Sequence, residues 1–114
     1  MTIKNKTHNT ILAKKSHIYS SIFSKTRGLM FSKQKNLIFP FNKEKIIPLH
    51  MWFVFYPIDV IYLDKNKKIV EIKENFKPFS YFSPKNKAKY VIELKNGKVS
   101  KTSSKKGDYI EFNT

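Results

Sequence analysis

The hydrophobic positions of this chain fall into short runs with a period of two. Tyr90, Ile92 and Leu94 alternate with Val91, Glu93 and Lys95, the pattern of a strand with one face on a core and one in solvent. Asn96-Gly97 follows, and both residues tolerate the positive φ of a type I′ turn, so Lys98-Val99 is expected to begin a return strand. Val70 and Ile72 alternate with Glu71 and Lys73, and Ile58–Leu63 reads as a further strand that ends in the polar turn Asp64–Lys67. Gly107-Asp108 reads as a turn into a last strand, Tyr109–Phe112. One stretch has helical character. Between Ser20 and Arg27 there is no Gly or Pro, Ser20 or Ser21 can cap the start, Gly28 suits the C′ position, and Ile18, Ile22 and Phe23 supply a short apolar stripe. The pattern predicts a mainly β fold, a small antiparallel β-sandwich or barrel-like domain with one short N-terminal helix near residues 20–28. Residues 1–17 read as an N-terminal extension with the first strand, and residues 18–114 as a single β-rich domain.

The most apolar stretch is residues 49–64, LHMWFVFYPIDVIYLD, which makes it the expected heart of the core. From Ile46 to Leu63 it is almost long enough to cross a bilayer, but Pro48, Pro57, His50 and Asp59 argue against a span. Its β-branched and aromatic residues suit strands better. The polar residues His8, Asn9, Lys14, Lys15, Ser16 and His17 interrupt any signal-peptide core, so a cytoplasmic location is expected.

Composition narrows the chemistry. The 114 residues are 40% hydrophobic and 15% aromatic, too apolar for a disordered chain and enough for one core. Cysteine is absent, which excludes disulfides, thiolate metal sites and cysteine nucleophiles. The net charge is +15, divided as +9 over residues 1–48, −2 over 49–64 and +8 over 65–114. Such an excess favours weak, nonspecific attraction to nucleic acid. All the bases but Arg27 are lysine, which lacks the planar fork that reads guanine or grips phosphate, so a solvated lysine surface is the plainer expectation.

The order of motifs is similar to that of a known family. Arg27-Gly28-Leu29-Met30-Phe31, then Met51 with Phe53–Phe55 and Pro57-Ile58-Asp59-Val60-Ile61-Tyr62-Leu63-Asp64, then Tyr90-Val91-Ile92-Glu93-Leu94 with Gly97, and lastly Gly107-Asp108 follow one another. Together they resemble the uncharacterised domain of unknown function 192, across roughly residues 20–112. Two positions depart from its pattern: His50 stands where a tryptophan is common, and Ser32 where a second arginine often follows. The resemblance implies a compact β-rich fold with two antiparallel layers and a short helix, and it implies no known reaction.

No catalytic residue, metal ligand set or cofactor is predicted. His8, His17 and His50 lack metal-ligand spacing, and there is neither a nucleophile elbow nor a glycine-rich phosphate loop. Asp59, flanked by Ile58 and Val60, is expected to be buried, accepting backbone N–H bonds at a strand end or pairing with Arg27. Met30, Met51 and Trp52 read as core packing, His50 as a core-edge histidine and Asp108 as a turn residue. The lysines at 65, 67 and 68 and at 101, 105 and 106 read as solvated loop clusters. Arg27, His50, Asp59 and Asp108 form the candidate binding set. Three functions stay open: a non-enzymatic binding or accessory module with an unknown ligand or protein partner, a basic nucleic-acid-associated protein, and a small enzyme using Asp59 as acid or base. The first is favoured over an enzyme.

Overall fold

The computed structural model describes residues 1–19 and 29–113; the expected helix at 20–28, and Arg27 with it, lies outside these. The strands are β1 (Ile3–Asn5), β2 (Thr10–Ala13), β3 (His17–Ile18), β4 (Leu37–Lys45), β5 (Leu49–His50), β6 (Ile58–Leu63), β7 (Ile69–Phe76), β8 (Tyr81–Phe82), β9 (Ala88–Lys95) and β10 (Ile110–Glu111). Among the described residues there is one helix, the single turn α1 (Lys98–Lys101), near the C-terminus. The chain is thus mainly β.

A five-stranded sheet in the order β3-β4-β9-β6-β7 organises the molecule, with a three-stranded sheet β10-β1-β2 and a two-stranded sheet β5-β8 beside it. The pairings are antiparallel except β3 with β4, which run parallel. β6 lies between β9 and β7, and Ile61 pairs with Ile92 on one side and Ile72 on the other. Alternation then sends its side chains to two different cores. Ile61 and Leu63 pack with Ile3, Leu12, Ile69, Ile92, Leu94, Val99 and Ile110, beneath the three-stranded sheet. Ile58, Val60 and Tyr62 pack with Leu29, Leu37, Phe39, Ile47, Met51, Val54 and Phe76, beneath the β5-β8 layer and its loops. Every residue of β6 is buried, as expected of a strand covered on both faces. Each of its aliphatic side chains contributes about 1.5–3 kcal/mol by leaving water.

Two expectations need correction. Lys98-Val99 does not start a return strand: Gly97 is left-handed at φ 95°, and the chain turns into α1, with Lys101 N–H bonded to the Gly97 carbonyl at 3.0 Å. The Asn96-Gly97 pair supplies the positive φ as read, but the following residues fold into a helical turn because a buried carboxylate captures their N–H groups. The second concerns residues 49–64. β6 is core, whereas Trp52, Phe53 and Phe55 are exposed. Between Pro48 and Pro57 only Leu49 and His50 find a strand partner, and only Ile47, Met51 and Val54 turn fully inward. No helix among the described residues is long and apolar enough to cross a membrane.

Candidate functional site

The residues singled out in the sequence do not converge. Asp59 and His50 stand on opposite sides of the large sheet. Asp59 shares the β6 face of Ile61, whereas His50 belongs to the layer over the other face. Arg27 lies outside the described residues.

Asp59 is fully buried and its carboxylate is saturated. Oδ1 accepts from Asn75 N–H at 3.0 Å and Asn96 Nδ2 at 3.1 Å, while Oδ2 accepts from Gly97 N–H and Val99 N–H, both at 3.0 Å. Three of the four donors are backbone groups, two of them at the start of α1, where free N–H groups favour a negative charge. One carboxylate therefore ties the end of β7, the β9–α1 turn and α1 to the central strand.

Asp108 anchors the opposite end of the same side. It precedes β10 and accepts from Asn5 Nδ2 and Lys105 N–H, each at 3.0 Å, with His8 Nε2 at 3.1 Å. Asn5 is fully buried and also donates to Ser104 Oγ at 3.0 Å, which in turn lies 2.7 Å from Thr102 Oγ1. Ser104 Oγ thus meets Asn5 and Thr102 rather than His8, so this His–Asp pair has no aligned hydroxyl nucleophile.

Sequence reasoning placed Glu93 on a solvent face, and the structure buries it. β9 is an inner strand, so the side of Val91 and Glu93 faces the second core, with Glu93 between Leu37 on β4 and Val60 on β6. Burial pushes its carboxyl pKa from 4.5 up to about 7. Burial, and secondarily Glu93, raises the Tyr62 phenol, whose buried hydroxyl has no hydrogen-bond partner among the described residues. Burial also raises Tyr56, despite the bond its hydroxyl donates to Ser32 O at 3.1 Å. No signal in the strand pattern separates Glu93 from a solvated glutamate; only Val91 beside it hints at a second buried face.

The other feature missed is at the surface. Phe31, Trp52, Phe53, Phe55, Phe79 and Tyr81 are all exposed, at 45–64% of their area. Phe31 stacks on Phe53 with centroids 4.7 Å apart, and Phe79 meets Phe53 and Phe55 edge-on at 5.9 and 5.5 Å. Trp52 stacks beside His50 at 6.2 Å, donating its N–H to His50 Nδ1 at 3.3 Å, and His50 faces Tyr81 across β5 and β8. The loops carrying these rings are joined through their backbones. Phe31 N–H donates to Phe53 O at 2.9 Å, Phe79 N–H to Met51 O at 2.7 Å, and Met51 N–H to Ser80 O at 2.7 Å. Phe31, Phe53 and Phe79 all hold positive φ (56°, 59° and 57°), a conformation that costs a non-glycine residue on the order of 1–3 kcal/mol. The buried neighbours Leu29, Met51 and Val54 fix this backbone, and the rings are thereby held outward.

Comparison with known proteins agrees with the fold. The family model of domain of unknown function 192, described as "Uncharacterized ACR, COG1430", matches residues 3–112. A UPF0127 protein of Thermococcus sibiricus is 31% identical over 112 residues, covering 95% of this chain and 72% of that protein. A second UPF0127 protein, from Pyrococcus furiosus, is 37% identical over 65 residues, or 57% of this chain and 55% of the relative. Among solved structures, a protein of unknown function from Novosphingobium aromaticivorans superposes with a TM-score of 0.84 at 20% identity, covering 97% of this chain and 82% of that one. A suggested transcription regulator from Sinorhizobium meliloti superposes at 0.85 and 21% identity, covering 96% and 89%. Motifs, match and architecture agree: the chain belongs to the family of domain of unknown function 192.

Proposed function

We propose that this protein is a non-enzymatic binding module that meets its partner with the aromatic loop end formed by Phe31, Trp52, Phe53, Phe55, Phe79 and Tyr81. The observation that carries the proposal is the fixed outward display of these rings on loops hydrogen-bonded to one another. A contiguous exposed apolar patch on a small domain marks an interaction surface. Of the four residues singled out in the sequence, His50 borders this surface beside Trp52 and across from Tyr81. We assign Asp59 and Asp108 to the framework, because donors of the fold itself occupy their oxygens. That occupation also weighs against Asp59 as a general acid or base, which needs an oxygen within reach of a substrate proton.

Trp52 is the only tryptophan and sits on the surface in question, so it reports on occupancy. The dye anilinonaphthalene sulfonate joins an aromatic body to an anion and accepts energy from tryptophan. It is expected to brighten on the folded protein with loss of Trp52 emission, and Phe31→Ser with Phe55→Ser is expected to abolish both changes without altering the circular-dichroism spectrum. Dye binding that survives this double substitution would disprove the assignment of the surface.

A further inference from the structure

We infer that the partner of the aromatic loop end is single-stranded nucleic acid, its bases stacking on the exposed rings and its phosphates held by the surrounding lysines. This rests on the binding-surface proposal and adds the chemical class of the partner.

The charge around the rings is one-sided. Residues 29–36, 46–57 and 77–87 contain Lys33, Lys35, Lys77, Lys85 and Lys87 and no carboxylate at all. Lys33, Lys77, Lys85 and Lys87 are exposed, and Lys73 adds a cation 5.3 Å from the Phe82 ring on β8. Nor is this charge neutralised elsewhere. Among the described residues no lysine forms an ion pair, since the one contact of that kind joins His8 to Asp108. The acids are occupied by backbone N–H groups instead: Glu44 by Lys65, Asp64 by Asn66 and Lys68, and Glu71 by Lys85 and Asn86. The lysine ammonium groups keep their full charge for an outside anion.

The rings choose among anions. A polyanion without apolar faces would need the lysines only, and it would leave the aromatic patch unexplained. Single strands offer a flat π-face at every nucleotide, and stacking on aromatic side chains beside a cationic groove is how proteins hold them without reading sequence. Roughly half of each ring's area is covered by the protein and half is open, as a stacking platform requires. Rings that enter a bilayer would instead project beyond the surface, whereas these lie against one another at 4.7–5.9 Å. A duplex hides its base faces, so single strands fit better than double strands.

The test compares a labelled thymidine dodecamer with an abasic deoxyribose-phosphate chain of equal length and charge, by anisotropy across a salt series. The dodecamer is expected to bind more tightly than the abasic chain and to quench Trp52. Phe31→Ala and Phe55→Ala should each weaken it about fivefold or more while leaving the abasic chain unaffected. Lys33→Gln with Lys35→Gln should weaken both chains and reduce the salt slope by about one. Equal affinity for the two chains, no binding of either, or binding to phosphatidylserine vesicles without binding to the dodecamer would each overturn the inference. Dye binding at Trp52 with no dodecamer binding would remove nucleic acid and leave the surface standing; loss of dye binding would remove the surface itself.

Discussion

Replacing Glu93 by glutamine should stabilise the protein at alkaline pH and leave it nearly unchanged in acid. The carboxyl is buried between β4 and β6, and burial alone raises its pKa from 4.5 to about 7. Below pH 4.5 it is protonated whether the chain is folded or not, and ionisation costs nothing. Between 4.5 and about 7 the unfolded chain releases the proton while the folded one retains it, so stability falls as pH rises through that window. Above 7 both forms are charged, and the full cost of a buried carboxylate stays in place. The gap from 4.5 to about 7, at roughly 1.36 kcal/mol for each tenfold change in acidity, amounts to about 3 kcal/mol. Glutamine has nearly the same shape and no charge. Urea unfolding followed by circular dichroism at pH 4 and pH 8 should give matching stabilities at the lower value. At the higher one Glu93→Gln should gain up to about 3 kcal/mol, equivalent to a rise in Tm on the order of 10 °C. A variant less stable than wild type at pH 8 would refute the reasoning, because it would mean that the folded state stabilises the ionised carboxylate.

Asp59→Ala leaves the N–H groups of Asn75, Gly97 and Val99 without their acceptor. It should cost on the order of 3–5 kcal/mol in chemical denaturation, and α1 should lose its protection from hydrogen exchange. A cost within about 0.5 kcal/mol, as at ordinary surface positions, would show that the carboxylate does not hold this junction. Tyr62→Phe removes a buried hydroxyl that has no partner among the described residues, so its stability should lie within about 1 kcal/mol of wild type or above it. A larger loss would reveal a bond made by that hydroxyl.

The strands were legible where hydrophobic period and turn chemistry agree. β6 occupies the expected residues, Asp64 caps the turn after it, and Gly107 takes φ 95° before β10 as the Gly-Asp pair suggests. Burial of Asp59 could also be read from its apolar neighbours, and its acceptance of backbone N–H bonds was one of the two arrangements expected there. What could not be read depends on contacts distant in sequence. Glu93 occupies a polar position of a regular alternation, and only the placement of β9 between β4 and β6 buries both of its faces. The helical turn at Lys98 forms because a carboxylate 39 positions earlier collects its N–H groups. The aromatic run at 52–55 looks like core in one dimension. It is surface because Met51 and Val54 take the inward places, and Phe31 and Phe79 arrive from other loops to pack against it. Hydropathy alone does not tell a run that feeds a core from a run that borders one.

The central claim is that the aromatic loop end is where this protein meets its partner. The most direct measurement is residue-resolved: amide and aromatic chemical-shift changes during titration with a thymidine dodecamer at physiological salt. They are predicted to concentrate at residues 29–36, 50–57 and 77–82 and to include the Trp52 indole. Shifts spread evenly over the surface lysines, or centred on the shallow depression at Met1, Lys4 and Phe112 on another part of the surface, would contradict it.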